Sequence, residues 1–97
     1  MQTDVLNLTT MHSGNLCLEL TECVSWEEYP EYVDEFMGLI GGRIVNKNDA
    51  PDMGIWIIEI GAHKIRIVYE DYPQMISLEP NDIDSNELIE KLFKRLK

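Results

Sequence analysis

The stretch IWIIEIGAHKIRIVYE, Ile55 to Glu70, decides the fold. Its first part alternates Ile55, Ile57 and Glu59 against Trp56, Ile58 and Ile60. After Gly61-Ala62-His63 the pattern resumes, with Ile65, Ile67 and Tyr69 opposed to Arg66, Val68 and Glu70. A period of two over more than four residues is the signature of a strand, and two such runs joined by a short glycine-containing turn form an antiparallel hairpin. Only Glu59 interrupts the apolar character of the first run. That strand is therefore expected to be central and covered on both sides, by helices or by a partner.

Working outward, Asp71-Tyr72-Pro73-Gln74 is a turn, and Met75 to Glu79 is a further strand with Ile76 and Leu78 inward. Pro80 ends it, since proline cannot donate to the ladder. Upstream, Arg43 to Lys47 reads as a short strand. Asn46 to Gly54, NKNDAPDMG, reads as a polar loop and as the most mobile part of the chain. Near the N-terminus, Leu6 and Leu8 share a face in a weak edge strand. A Ser13-Gly14-Asn15 turn leads to Leu16, Leu18 and Leu20, which alternate with Cys17, Glu19 and Thr21.

Two segments carry helical spacing. Val33, Phe36, Met37 and Ile40 recur on one face of a helix expected to start at Pro30, after a turn over Ser25 to Tyr29. Ser25 and Glu28 have capping-box spacing, and Gly41-Gly42 ends the helix. At the C-terminus, Leu88, Ile89, Leu92, Phe93 and Leu96 form an apolar stripe. Asp84 or Ser85 is the expected cap, with Glu87 three residues after Asp84. Lys91, Lys94, Arg95 and Lys97 complement the negative end of the helix dipole. The expected architecture is one α+β domain over residues 1–97: a mostly antiparallel sheet of about five to six strands, covered on one face by two helices, in the order β-β-α-β-β-β-β-α.

Charge narrows the function. The chain carries 18 acidic and 8 basic residues, a net -10. Residues 1–42 hold eight acids and no lysine or arginine; residues 67–90 hold seven more and again no base. Such a surface repels nucleic-acid phosphates and anionic membranes, and complements a basic protein. The opening residues lack a basic leader followed by an apolar core, so a cytoplasmic home is expected.

Signals for chemistry are weak. His12 and His63 lack metal-ligand spacing, and the acids of Asn81 to Glu87 lack the glycine and donor pattern of a calcium loop, so no metal or other cofactor is expected. In one extended strand Cys17 and Cys23 would lie about 20 Å apart, too far for a disulfide. Gly41-Gly42 follows a helix, whereas phosphate-cradling glycines precede one. His12 beside Ser13 has no recognisable orienting acid or oxyanion pocket. Acid–base chemistry would rest on His63 with Glu59 or Glu70.

The stronger pattern is aromatic rings among acids: Trp26, Glu27, Glu28, Tyr29, Glu31, Tyr32, Asp34 and Glu35, joined by Asp71 and Tyr72. This composition suits recognition of a basic protein surface. The leading expectation is a non-catalytic acidic binding module, of the kind an immunity protein or antitoxin uses to block a basic nuclease toxin. A structural or regulatory homodimer, motivated by the apolar 55–60 run, is the alternative. A small carboxylate–histidine enzyme is the third.

Overall fold

The computed structural model describes residues 1–97. In chain order the elements are β1 (Asn7–Thr10), β2 (Leu16–Thr21), α1 (Tyr29–Ile40), β3 (Arg43–Ala50), β4 (Met53–Ile60), β5 (His63–Asp71), β6 (Gln74–Pro80) and α2 (Asn86–Leu96), with a single 3-10 turn at Ile83–Ser85. The six strands form one antiparallel sheet in the order β1-β2-β6-β5-β4-β3. Every neighbouring pair except β2–β6 is a hairpin. The chain leaves the sheet after β2, runs through α1, re-enters at the far edge as β3, and works back strand by strand to close beside β2.

The expected hairpin pairs Trp56 with Ile67 and Ile58 with Ile65. The same inward row continues through Leu78 to Leu18. Both helices lie on this face. Tyr29, Val33 and Phe36 of α1 and Ile89 and Leu92 of α2 join Leu18, Trp56, Ile58, Ile65, Ile67 and Leu78 in one buried cluster of 18 residues. Tyr29 donates its hydroxyl to the Ile67 carbonyl at 2.8 Å, so its ring can be wholly enclosed without an orphaned polar atom.

Several expectations need correction. The polar segment 46–54 is no mobile loop: β3 runs to Ala50 and β4 begins at Met53, leaving a two-residue connection at Pro51-Asp52. Polarity misled because β3 is an edge strand with nearly all of its side chains in water. A register shift between Ile44 and Asn46 bulges that edge, and Lys47 sits on it; both features discourage pairing with another strand. Strand β4 is not central and not covered twice. It lies next to the edge, and its Ile55–Ile57 face carries no helix.

The helix ends also differ in detail. Helix α1 begins one residue before Pro30, and Glu28 folds back to accept from Ser25 N (3.1 Å) and Ser25 Oγ (2.9 Å), so only half of the capping box forms. Gly41 does cap α1, at φ 72° in the left-handed region, with its N–H on the Met37 carbonyl. At α2 neither Asp84 nor Ser85 caps with its side chain. Asp82 caps the preceding 3-10 turn, accepting from Ser85 N at 3.0 Å, and the Ser85 hydroxyl reaches the Lys64 carbonyl at 3.0 Å. In β2 a bulge between Glu19 and Thr21 breaks the alternation, and Leu20 and Thr21 are both buried.

Candidate functional site

The turn Trp26-Glu27-Glu28 joins two depressions on the helical side of the molecule. The larger is an open trough of about 760 Å³ between α1 and the N-terminal segment, lined by Met1, Gln2, Val24, Glu28, Glu31, Tyr32, Asp34 and Glu35. The smaller, about 280 Å³, lies beyond Trp26 among Ala50, Pro51, Asp52, Met53, Tyr69 and Asp71.

Helical spacing builds the trough. Val33, Phe36, Met37 and Ile40 turn into the core, which leaves Glu31, Asp34 and Glu35 on the opposite, solvated side. The N-terminal segment forms the other wall and is pinned at several points. The Met1 ammonium pairs with Glu35 at 2.7 Å, and Tyr32 donates its hydroxyl to the Gln2 carbonyl at 2.6 Å. Asp4 accepts from the Thr21 hydroxyl, and more weakly from Glu22 N and Cys23 Sγ. The Thr21 hydroxyl holds the Asp4 carboxyl below its ordinary value, and hydrogen bonds from Ser25 do the same for Glu28. Both therefore stay ionised at neutral pH. The N-terminal amine is the only cation on the trough walls, against four carboxylates.

The smaller slot is built from rings. Trp26 lies 5.6 Å from Tyr29 and 5.4 Å from Tyr69, centroid to centroid, and Tyr29 lies 4.6 Å from Trp56. Trp26 is seated over Gly54, where a Cβ would approach its Cζ3 to 2.7 Å. The glycine is what lets the indole approach the β4 backbone this closely. Trp56 in turn donates Nε1–H to Asp49 at 2.8 Å, with the Lys47 ammonium 4.5 Å above its ring. At the slot rim Asp71 accepts from the Tyr69 hydroxyl at 3.3 Å, and burial, reinforced by the charge of Asp71, pushes the Tyr69 phenol up.

The sequence-selected residues thus gather on one side, with three corrections. Glu28, Glu31, Asp34 and Glu35 line the trough, Trp26 and Asp71 line the slot, and Glu27 is exposed between them. Tyr29 is completely buried and cannot meet a partner; its ring is a core anchor. Tyr32 is 5% exposed and serves as trough floor rather than rim. Burial, with the nearby carboxylates, keeps both phenols protonated at any ordinary pH. Tyr72, at 96% exposure, projects from the β5–β6 turn and lines neither depression. Sequence reasoning missed Met1, Gln2 and Val24, since no local pattern places the N-terminus against α1. It missed Ala50 to Met53 because those residues were assigned to a loop.

His63 is exposed at the start of β5 and lines neither depression, while Glu59 is engaged by Arg43 at 2.8 and 2.7 Å. No group of three or more His, Cys, Asp or Glu is arranged to hold a metal ion. Cys17 and Cys23 are free thiols. No helix is long and apolar enough to cross a membrane.

No curated protein and no solved structure matches the chain. Residues 6–97 match the family described as "Protein of unknown function (DUF3630)", and the chain belongs to that family.

Proposed function

We propose that this protein is a non-catalytic binding module that docks a basic protein through the trough and slot flanking Trp26. The observation that supports this reading is the convergence of Glu28, Glu31, Asp34 and Glu35 on an open trough faced by a single ammonium. Fixed carboxylates of one sign raise the encounter rate with a basic surface and select against acidic ones. The slot adds an apolar anchor. A lysine or arginine stem can lie along Trp26 with its charge toward Asp52 or Asp71, combining cation–π and ionic attraction.

The partner class is a basic protein with an electropositive groove, of which a nuclease toxin is the leading candidate. The module would act in the cytoplasm as an immunity protein or antitoxin, and its negative field disfavours nucleic acid itself as ligand. Glu31 and Asp34 are exposed, and reversing both to lysine leaves the core intact. Parallel affinity captures with wild type and the Glu31→Lys/Asp34→Lys variant test the reading. A basic protein retained by wild type should bind the variant roughly tenfold or more weakly, and more weakly still at high salt. If that protein has nuclease activity, wild type should suppress it and the variant should not. A captured protein retained equally by both forms would defeat the proposal.

A further inference from the structure

The second face of the sheet carries no helix. Val68 is 4% exposed, yet it stands outside the 18-residue cluster that holds the other buried apolar side chains. Its neighbours across the ladder are Ile55 on β4 and Ser77 on β6. By strand alternation Ile57, Met53 and Met75 share this face, all half-buried and none packed against the helical core.

Charge on this face differs from the rest of the molecule. Its acids are Glu19, Glu59, Glu70 and Glu79, and its bases are Arg43, Lys64 and Arg66. The net is -1, out of a chain total of -10. Arg66 lies across from Ile57 and bonds Glu79 and the Pro80 carbonyl, each at 3.2 Å, while its Nε is buried without an acceptor. Along β5 the charges are polarised: Lys64 and Arg66 at one end, Glu70 at the other, Val68 between.

We infer that a second copy of this chain covers the face, related by a two-fold axis lying in the sheet plane across the strands. That operation sets Lys64 over the partner's Glu70, Ile55 over the partner's Ile57, and Val68 over the aliphatic stem of the partner's Arg66. An isologous contact needs such self-complementarity. Two copies at net -10 repel through every strongly acidic surface, and this face is nearly neutral with an apolar centre. Size agrees: five strands at ~4.8 Å spacing and about seven residues at ~3.4 Å give roughly 600 Å² of projected face. That is the same order as the ~800 Å² per partner of a standard interface. The inference does not rest on the proposed function, whose residues occupy the helical side.

Sedimentation equilibrium tests it. At about 100 µM, wild type should run at twice the chain mass of 11.2 kDa. Ile57→Glu and Lys64→Glu should each shift the equilibrium toward monomer by roughly tenfold or more, with melting curves confirming that both variants fold. The exchange Lys64→Glu/Glu70→Lys restores complementarity and should recover the dimer. A monomeric wild type would overturn the inference. So would a dimer unaffected by both single substitutions, or a double exchange no better than Lys64→Glu alone.

Discussion

Replacing Gly54 by alanine should reveal how Trp26 is held. The added methyl would stand 2.7 Å from Trp26 Cζ3 and 3.0 Å from Cη2, closer than carbon atoms can approach. Gly54 lies in the paired part of β4, opposite Tyr69, so the backbone cannot yield cheaply and the indole must move. Trp26 is 39% exposed, which leaves about 150 Å² of its surface covered and ~3–4 kcal/mol of burial at ~25 cal/mol per Å². Displacement forfeits part of this, about 2 kcal/mol, including the stacking on Tyr29 and the tilted ring contact with Tyr69. Against it stands ~0.5–1 kcal/mol gained because alanine loses less chain entropy than glycine in a strand. The net cost should be about 1 kcal/mol in wild type. In a Trp26→Ala background the same change should stabilise by ~0.5–1 kcal/mol, giving a coupling of about 2 kcal/mol. Urea denaturation followed by far-UV circular dichroism measures all four corners of the cycle. Native fluorescence should also red-shift in Gly54→Ala, because Trp56 stays buried and Trp26 supplies the change. Equal effects of Gly54→Ala in both backgrounds would refute this account of the Trp26 seat.

The N-terminal wall of the trough should loosen in acid. The folded Asp4 carboxyl titrates below its ordinary value of 3.8, so its stabilising contribution is present above that pH and lost as pH falls through the folded value. Hydrogen exchange at Leu6 and Cys23 should accelerate there before the β5–β6 amides do. Asp4 also makes the Cys23 thiol harder to ionise, first by accepting its hydrogen bond and then by charge. Alkylation of Cys23 at pH 7.5 should therefore be slower than that of a free cysteine, and Asp4→Asn should speed it. Asn86 links α2 to the sheet, accepting from Leu16 N at 2.7 Å and donating to Asn15 Oδ1 at 3.0 Å. Asn86→Ala should cost ~1–3 kcal/mol in chemical denaturation, because the part-buried Leu16 N–H loses its acceptor.

The hairpin of β4 and β5, the two helices and the glycine cap were legible because each rests on local periodicity or a backbone preference. The α+β class, antiparallel sheet and element order follow from those pieces. What was illegible depended on tertiary placement. Strand β3 reads as polar because an edge strand facing water has no apolar face to announce it. The helix-free side of β4 was invisible because Ile55 and Ile57 look the same whether covered by a helix or by nothing. Tyr29 and Tyr32 belonged to the aromatic–acid motif by sequence. Their positions four and one residues ahead of Val33 put them on the same inward side of α1, where they are buried. Asp82, not Asp84, caps the turn before α2 because the 3-10 turn moves the cap two residues upstream.

The two faces of the sheet divide the electrostatic work. Helix α1 leaves Glu31, Asp34 and Glu35 in solvent, so the trough inherits a dense negative field from the need to bury Val33, Phe36 and Ile40 inward. The opposite side, free of helices, pairs Arg43 with Glu59 and Arg66 with Glu79 across neighbouring strands, and these pairs neutralise it. In a back-to-back dimer the two troughs face outward, separated by two sheets about 10 Å apart and a helical layer of about 10 Å on each side. That distance exceeds the ~8 Å Debye length at physiological ionic strength, so repulsion between the troughs is largely screened while each keeps its local field. Self-association and capture of a basic partner are therefore compatible in one molecule. Their salt responses are opposed: added salt weakens attraction at the trough, while it relieves the repulsion between two acidic chains meeting at the helix-free face.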